Sequence, residues 1–237
     1  MRILLSLLLM VITSSAHADM VTAREFMMKK DYEAAFKEYK TEAQRGNIFA
    51  QYIVAQMYAR GEGVKRDMRE AVNYYSLAAN TGHMKSQNNL ANIYMTGHGI
   101  VQNFSEAAYW FKKSAEQGNM LSLASLGELY HRGYGVDQDY KLAREYYERA
   151  AEAGIKKPYI NLGTMYFNGE GVPKDYIMAY MWFDVADRRG SLEGNVNKFD
   201  MRTIISEDDV AKAEALAEAW VTKFPEPPKD DEENKAK

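Results

Sequence analysis

The chain has 237 residues, 46% hydrophobic and 27% charged, with 30 Lys and Arg against 33 Asp and Glu, a formal net charge of −3 and no Cys. That apolar share can bury a core and excludes a disordered chain, while the acidic balance leaves no footprint for nucleic acid unless positive charge gathers on one face. Without cysteine there are no disulfides, thiol nucleophiles, thiolate zinc sites or haem attachment.

Arg2 is followed by the apolar run Ile3 to Ile12 and then by Thr13-Ser14-Ser15-Ala16-His17-Ala18. A basic start, a short apolar stretch and a small-x-small site predict a secretory leader, 1–18, cut after Ala18. The run is too short to cross a bilayer, which takes about 20 apolar residues, so no transmembrane segment is predicted. The mature chain is expected to be exported, periplasmic or secreted.

Next comes a capping hairpin over 19–46, built from a degenerate helix at 20–29 and a half-repeat running from Asp31 to Gly46. A constant step of 36 residues then governs the chain. It links Gly46, Gly82, Gly118, Gly154 and Gly190, and also Tyr58, Tyr94, Tyr130 and Tyr166. The pairs Gly61/Gly63, Gly97/Gly99, Gly133/Gly135 and Gly169/Gly171 obey it, as do Asp31, Asp67, Asn103, Asp139 and Asp175. Ala35, Ala71, Ala107, Ala143 and Ala179 form another such column, and Tyr39, Tyr75, Phe111, Tyr147 and Phe183 another. Four full repeats span 47–190, and a period of this length means stacked supersecondary units.

Each period reads as two helices. The Asp/Asn column supplies an N-cap oxygen for an otherwise unpaired N–H of the first turn. The helix behind it carries a 3.6-residue stripe, such as Ala71, Tyr74, Tyr75, Ala78 and Ala79, and is stopped by the next glycine at C′. Another helix opens at once and ends on the Tyr column, after Leu90-Ala91, Leu126-Gly127 or Leu162-Gly163. Gly-x-Gly and one aliphatic residue then make a tight loop. The aromatic columns, Tyr130 included, lie on packing stripes and are read as core.

Over 176–185 the last full repeat is apolar nearly all round, so the segment 191–224 is predicted to cap it. Within it Ser206 and Asp209 resemble a capping box, and Val210, Ala213, Ala217, Trp220 and Val221 form a stripe. The proline-rich, charged stretch 225–237 reads as a disordered tail.

The third repeat shows the pattern best: Leu126, Gly127, Tyr130, Gly133, Gly135, Val136, Asp139, Ala143, Tyr146, Tyr147, Ala150, Ala151 and Gly154. This resembles the Sel-one-like repeat, a relative of the tetratricopeptide repeat. The resemblance implies an all-α, right-handed α/α superhelical solenoid of helix hairpins, with the first helix of each pair lining a concave side.

Catalytic signatures are absent from the sequence: it has no SxxK, SDN, KTG, HExxH or GxSxG, and its GxG pairs lack a strand-then-helix context. His98 and His131, in loops of adjacent repeats, could share a metal only by coincidence of placement, and no metal or other cofactor is predicted.

Counted from each repeat's start, the third, seventh, tenth and fourteenth residues share one helix face. In the first two repeats these are Phe49, Ile53, Gln56 and Arg60, then Lys85, Asn89, Asn92 and Thr96. In the last two they are Leu121, Ser125, Glu128 and Arg132, then Lys157, Asn161, Thr164 and Asn168. The packing columns repeat and these vary, as a common scaffold with a particular surface requires. Lys85–Asn89 and Lys157–Asn161 are i,i+4 pairs that can hold a carboxylate or a peptide backbone. The function predicted is therefore a non-catalytic, exported scaffold or adaptor that holds a protein or peptide partner, and no nucleic acid, in its concave groove. Serving as an assembly factor for a surface machine is one form of that role. The alternative is an enzyme or small-ligand binder acting on cell-wall material, for example by the β-lactam binding linked to cysteine-rich relatives.

Overall fold

Every predicted N-cap in the repeats forms. In a computed structural model, which describes residues 20–226, the Asp67 carboxylate accepts from the backbone N–H of Arg69 and Glu70, Asn103 from Glu106, Asp139 from Leu142 and Asp175 from Met178. Behind these caps stand four second helices, α4 (Met68–Asn80), α6 (Phe104–Glu116), α8 (Tyr140–Glu152) and α10 (Tyr176–Arg188). Each cap residue also donates its own N–H to the carbonyl of the Tyr column, from Asp67 to Tyr58 at 3.0 Å and from Asp139 to Tyr130 at 3.0 Å. One hydrogen bond thus closes each Gly-x-Gly loop and joins two sequence columns.

The first helices are α3 (Ile48–Arg60), α5 (Met84–Thr96), α7 (Met120–Arg132) and α9 (Lys157–Asn168). They run two residues past the Tyr column, to the Gly that ends them in a left-handed turn: Gly61 has φ 74° and donates to the Met57 carbonyl. The second glycine of the loop answers a different need. A Cβ on Gly63 would stand 2.0 Å from the Tyr32 carbonyl oxygen, and one on Gly99 2.6 Å from the Met68 side chain. The loop is small there because the second helix of the preceding hairpin begins against it.

Further along, α1 (20–28) and α2 (Tyr32–Gln44) precede the repeats, and α11 (Leu192–Met201) and α12 (Glu207–Lys223) follow them. The chain divides into two compact units after Gln117. The first holds hairpins α1/α2, α3/α4 and α5/α6, and the second α7/α8, α9/α10 and α11/α12. The division falls at a repeat boundary, so the predicted array is shared between units of the same plan. No strand occurs among the described residues. The predicted leader and the tail beyond Glu226 lie outside them.

Within a hairpin, aromatic meets glycine or alanine. A Cβ on Gly127 would lie 2.5 Å from the Tyr147 ring, and one on Gly163 2.4 Å from that of Phe183. The Ala column is wholly buried, from Ala35 through Ala179. Successive hairpins are tied by a column that repeat counting misses: Gln51 Nε2 donates to the Ala43 carbonyl at 3.2 Å, Gln87 Nε2 to Ala79 at 3.1 Å, and Tyr159 Oη to Ala151 at 3.1 Å. Of the aromatic columns, Tyr147 is buried but Tyr130 is only half-buried, its ring stacked on Tyr146 at 5.7 Å. The expectation that Tyr130 is full core is corrected: it sits at a helix end beside a loop, where one side stays wet.

α11 and α12 both pack on α10, with Ala213 and Ala217 buried and Trp220 5.4 Å from the Trp182 and Tyr159 rings. Lys198 occupies the column that holds Leu90, Leu126 and Leu162 in the repeats. Its ammonium binds Asp184, which is 2% exposed, at 2.9 Å, and also Asp187. Arg188 supplies Asp184 with another partner at 2.8 Å. The hydrogen bond from Lys198 holds the Asp187 carboxyl below its ordinary range.

One cap is a histidine. His83 Nδ1 accepts from the Ser86 N–H at 3.3 Å, the place taken by an Asn side chain at Asn47 and Asn119. Burial, and then the Lys85 charge, lower the His83 pKa. Only neutral imidazole can accept, so the unfolded chain binds the proton more readily and stability rises with pH. The cap's contribution is complete above the free-histidine pKa of about 6.5 and fades as pH falls through the lower folded value. Thermal melts at about pH 7.5 and about pH 5, on either side of the free-histidine value, should show a smaller acid-induced drop for His83→Asn than for the parent. Equal drops in the two proteins would show that this cap does not titrate.

Candidate functional site

A first helix turns 100° per residue, so its third, seventh, tenth and fourteenth residues line one side. In α3 and α5 that side is graded: Phe49 is 48% exposed, Lys85 is exposed, and Ile53, Gln56 and Asn89 are half-buried. Gln56, Arg60, Asn89 and Asn92 come together around a cleft of about 360 Å³ in the first unit, with Tyr52, Ala59, Met68, Tyr75 and Ile93 completing its walls. Phe49, Ile53 and Lys85 stand outside its lining.

The side chains in this cleft are partly spent. Asn89 Nδ2 donates to Tyr75 Oη at 3.2 Å, Gln56 Nε2 to Tyr52 Oη at 2.9 Å, and Asn92 Nδ2 to the Asn88 carbonyl at 2.9 Å. Each amide has two N–H donors and one acceptor oxygen, so each keeps one donor and its oxygen for a ligand. That pairing matches the donor and acceptor of a peptide unit. Burial pushes the Tyr75 hydroxyl up to about 12, so it serves here as a neutral hydrogen-bonding group.

In the second unit Leu121 is 57% exposed, Lys157 is exposed, and Ser125, Glu128, Asn161 and Thr164 are half-buried. Lys157 Nζ reaches Glu128 at 2.7 Å, and Arg132 Nε reaches the same carboxylate at 3.3 Å. Asn161 stands near the Tyr147 hydroxyl and opposes the rise that burial imposes on it, in the place where Asn89 donates to Tyr75. The two Lys–Asn pairs are therefore unlike: Lys157 is held by a carboxylate, whereas Lys85 forms no ion pair among the described residues. Both asparagines follow a tyrosine in the aromatic column, which explains why they recur two repeats apart. Sequence reasoning missed this role of the tyrosines; the signal was Tyr rather than Phe at 75 and 147.

Thr164 lines another cleft, of about 240 Å³, with Phe167, Phe183, Asn197, Asp200, Met201 and Ile204. Asn197, Asp200 and Ile204 stand 36 residues beyond Asn161, Thr164 and Asn168, so α11 continues the face as well as capping α10. His131 pairs with Glu170 at 2.8 Å and His98 with Arg66. Among the described residues no three metal-ligating side chains gather, and no helix is long and apolar enough to cross a membrane.

The Sel1 repeat family model matches residues 48–83, 85–119, 121–155 and 159–186, more than half of the chain. The chain belongs to the Sel1 repeat family. Its last match starts late, where α9 opens at Lys157 with no side-chain cap and with Pro158 in its first turn. A Sel1 repeat protein from Oxalobacter formigenes is 29% identical and superposes with a TM-score of 0.71 over 86% of this chain and 85% of that one. A protective antigen of uropathogenic Escherichia coli with the same repeat fold is 24% identical, with a TM-score of 0.54 over 88% of this chain and 54% of that one. No curated protein matches the sequence significantly. The all-α repeat solenoid predicted from the sequence is thus shown. Sel1 repeats are generally protein-interaction scaffolds and typically non-catalytic.

Proposed function

We propose that this Sel1 repeat protein is an exported, non-catalytic adaptor that binds an extended segment of a partner protein along its first-helix face. The cleft of the first unit carries the reading: Gln56, Asn89 and Asn92 each keep an amide oxygen and an N–H, backed by Tyr52 and Tyr75. Such a row pairs a peptide backbone, and the neighbouring Phe49 gives it an apolar side chain to cover. Export rests on the Arg2, Ile3–Ile12 and Ala16–Ala18 pattern, and expression in a bacterial host should yield a mature N-terminus at Asp19.

Crosslinked capture from a native periplasmic extract tests the groove. Gln56→Leu with Asn92→Leu removes two amides from helix surfaces, so the helical signal should persist while capture of the partner falls to background. Capture at the parental level by a folded double variant would overturn the reading.

A further inference from the structure

The first unit holds a cationic cleft that its charge balance does not require. Lys65, Arg66, Arg69 and His98 line a space of about 580 Å³ between the loop of one repeat and that of the next. Asp67 supplies the sole carboxylate of that lining, and one of its oxygens caps α4 on the N–H groups of Arg69 and Glu70. Among the described residues Lys65, Arg66 and Arg69 form no ion pair, although the chain as a whole carries a net charge of −3. Arg66 is fixed in advance: its Nε donates to the Ala59 carbonyl at 3.0 Å, and its guanidinium lies against His98 Nε2. The corresponding positions of the later loops carry at most one cation each: Val101, Gln102 and Ser105, then Asp137, Gln138 and Lys141, then Pro173, Lys174 and Ile177. Met68 lines both this space and the amide-lined cleft, so the two adjoin within one unit.

We infer that the partner segment is acidic: a peptide whose backbone lies along Gln56, Asn89 and Asn92 carries carboxylates past Met68 to Lys65, Arg66 and Arg69. The inference rests on the groove reading above. Cationic charge gathered on one face attracts the opposite sign, which favours the partner's register and quickens its capture. A peptide fits better than a nucleic acid, because the lining around the cations holds no Tyr, Trp or Phe as a stacking platform, and in the adjoining cleft Tyr52 and Tyr75 are hydrogen-bonded to the amides that suit a peptide backbone.

A labelled glutamate-rich peptide, its glutamine-rich counterpart and heparin serve as probes against the full chain. The glutamate peptide should bind, the glutamine peptide should not, and binding should vanish near 1 M salt, where the Debye length is about 3 Å. Lys65→Glu with Arg69→Glu, both exposed positions, should weaken the glutamate peptide roughly tenfold or more with the helical signal intact. No binding of that peptide, equal binding to the charge-reversed chain, or a clear preference for heparin would each overturn the inference. The Gln56→Leu, Asn92→Leu chain separates the two claims. If it binds the glutamate peptide normally while charge reversal abolishes binding, the groove reading fails and the cationic site stands. The opposite pattern leaves the groove and removes the acidic partner.

Discussion

Tyr147→Ala should unfold the second unit at a markedly lower urea concentration, a loss of about 3–5 kcal/mol as for other buried aromatic truncations. The ring is 1% exposed and closes on Gly127, whose Cα leaves no room for even a methyl group between helices α7 and α8. The hydroxyl adds a smaller share, so Tyr147→Phe should cost only about 1 kcal/mol. Tyr130→Ala, which removes a half-buried ring, should fall well short of Tyr147→Ala. Equal urea midpoints for the two alanine variants would show that the two columns carry the same load, contrary to their burial.

Lys198→Leu is the second large effect, and its sign opposes what the repeat pattern suggests. Leucine fills this column at 90, 126 and 162, so a consensus argument expects the change to stabilise. In the structure it strips a cation from Asp184, which is 2% exposed and keeps only Arg188. Breaking a buried ion pair by deleting one partner typically costs about 3–5 kcal/mol, and the remaining Arg188 should hold the loss near 2 kcal/mol or more. Lys198→Leu combined with Asp184→Ala should recover much of that loss, because no buried charge is then stranded. A single variant as stable as the parent in urea would show that Lys198 is dispensable to Asp184.

Much of the fold was legible because a repeat writes its packing many times over. The cap column at 67, 103, 139 and 175, the left-handed glycines and the buried alanines recur at one interval, and each has a local physical cause. The ends were harder. Residues 191–224 read as a cap; Asn197, Asp200 and Ile204 stand one 36-residue step beyond Asn161, Thr164 and Asn168, but only the structure brings them around one cleft with Thr164.

Of the candidate site, the sequence placed the face but not the state of its side chains. Helical periodicity put Gln56, Asn89 and Asn92 on one side of their helices, since a 3.6-residue turn needs nothing beyond the backbone. Whether an amide is free or engaged depends on residues brought near by packing, as with Tyr75 beside Asn89 and Glu128 beside Lys157. The cationic cleft is of the same kind. Lys65, Arg66 and Arg69 are ordinary surface residues in order along the chain, and only the stacking of one loop on the next sets His98 against them and leaves their charge unanswered. Periodic packing is a short-range property and is written in the chain; contacts across hairpins exist only once the helices have closed on one another.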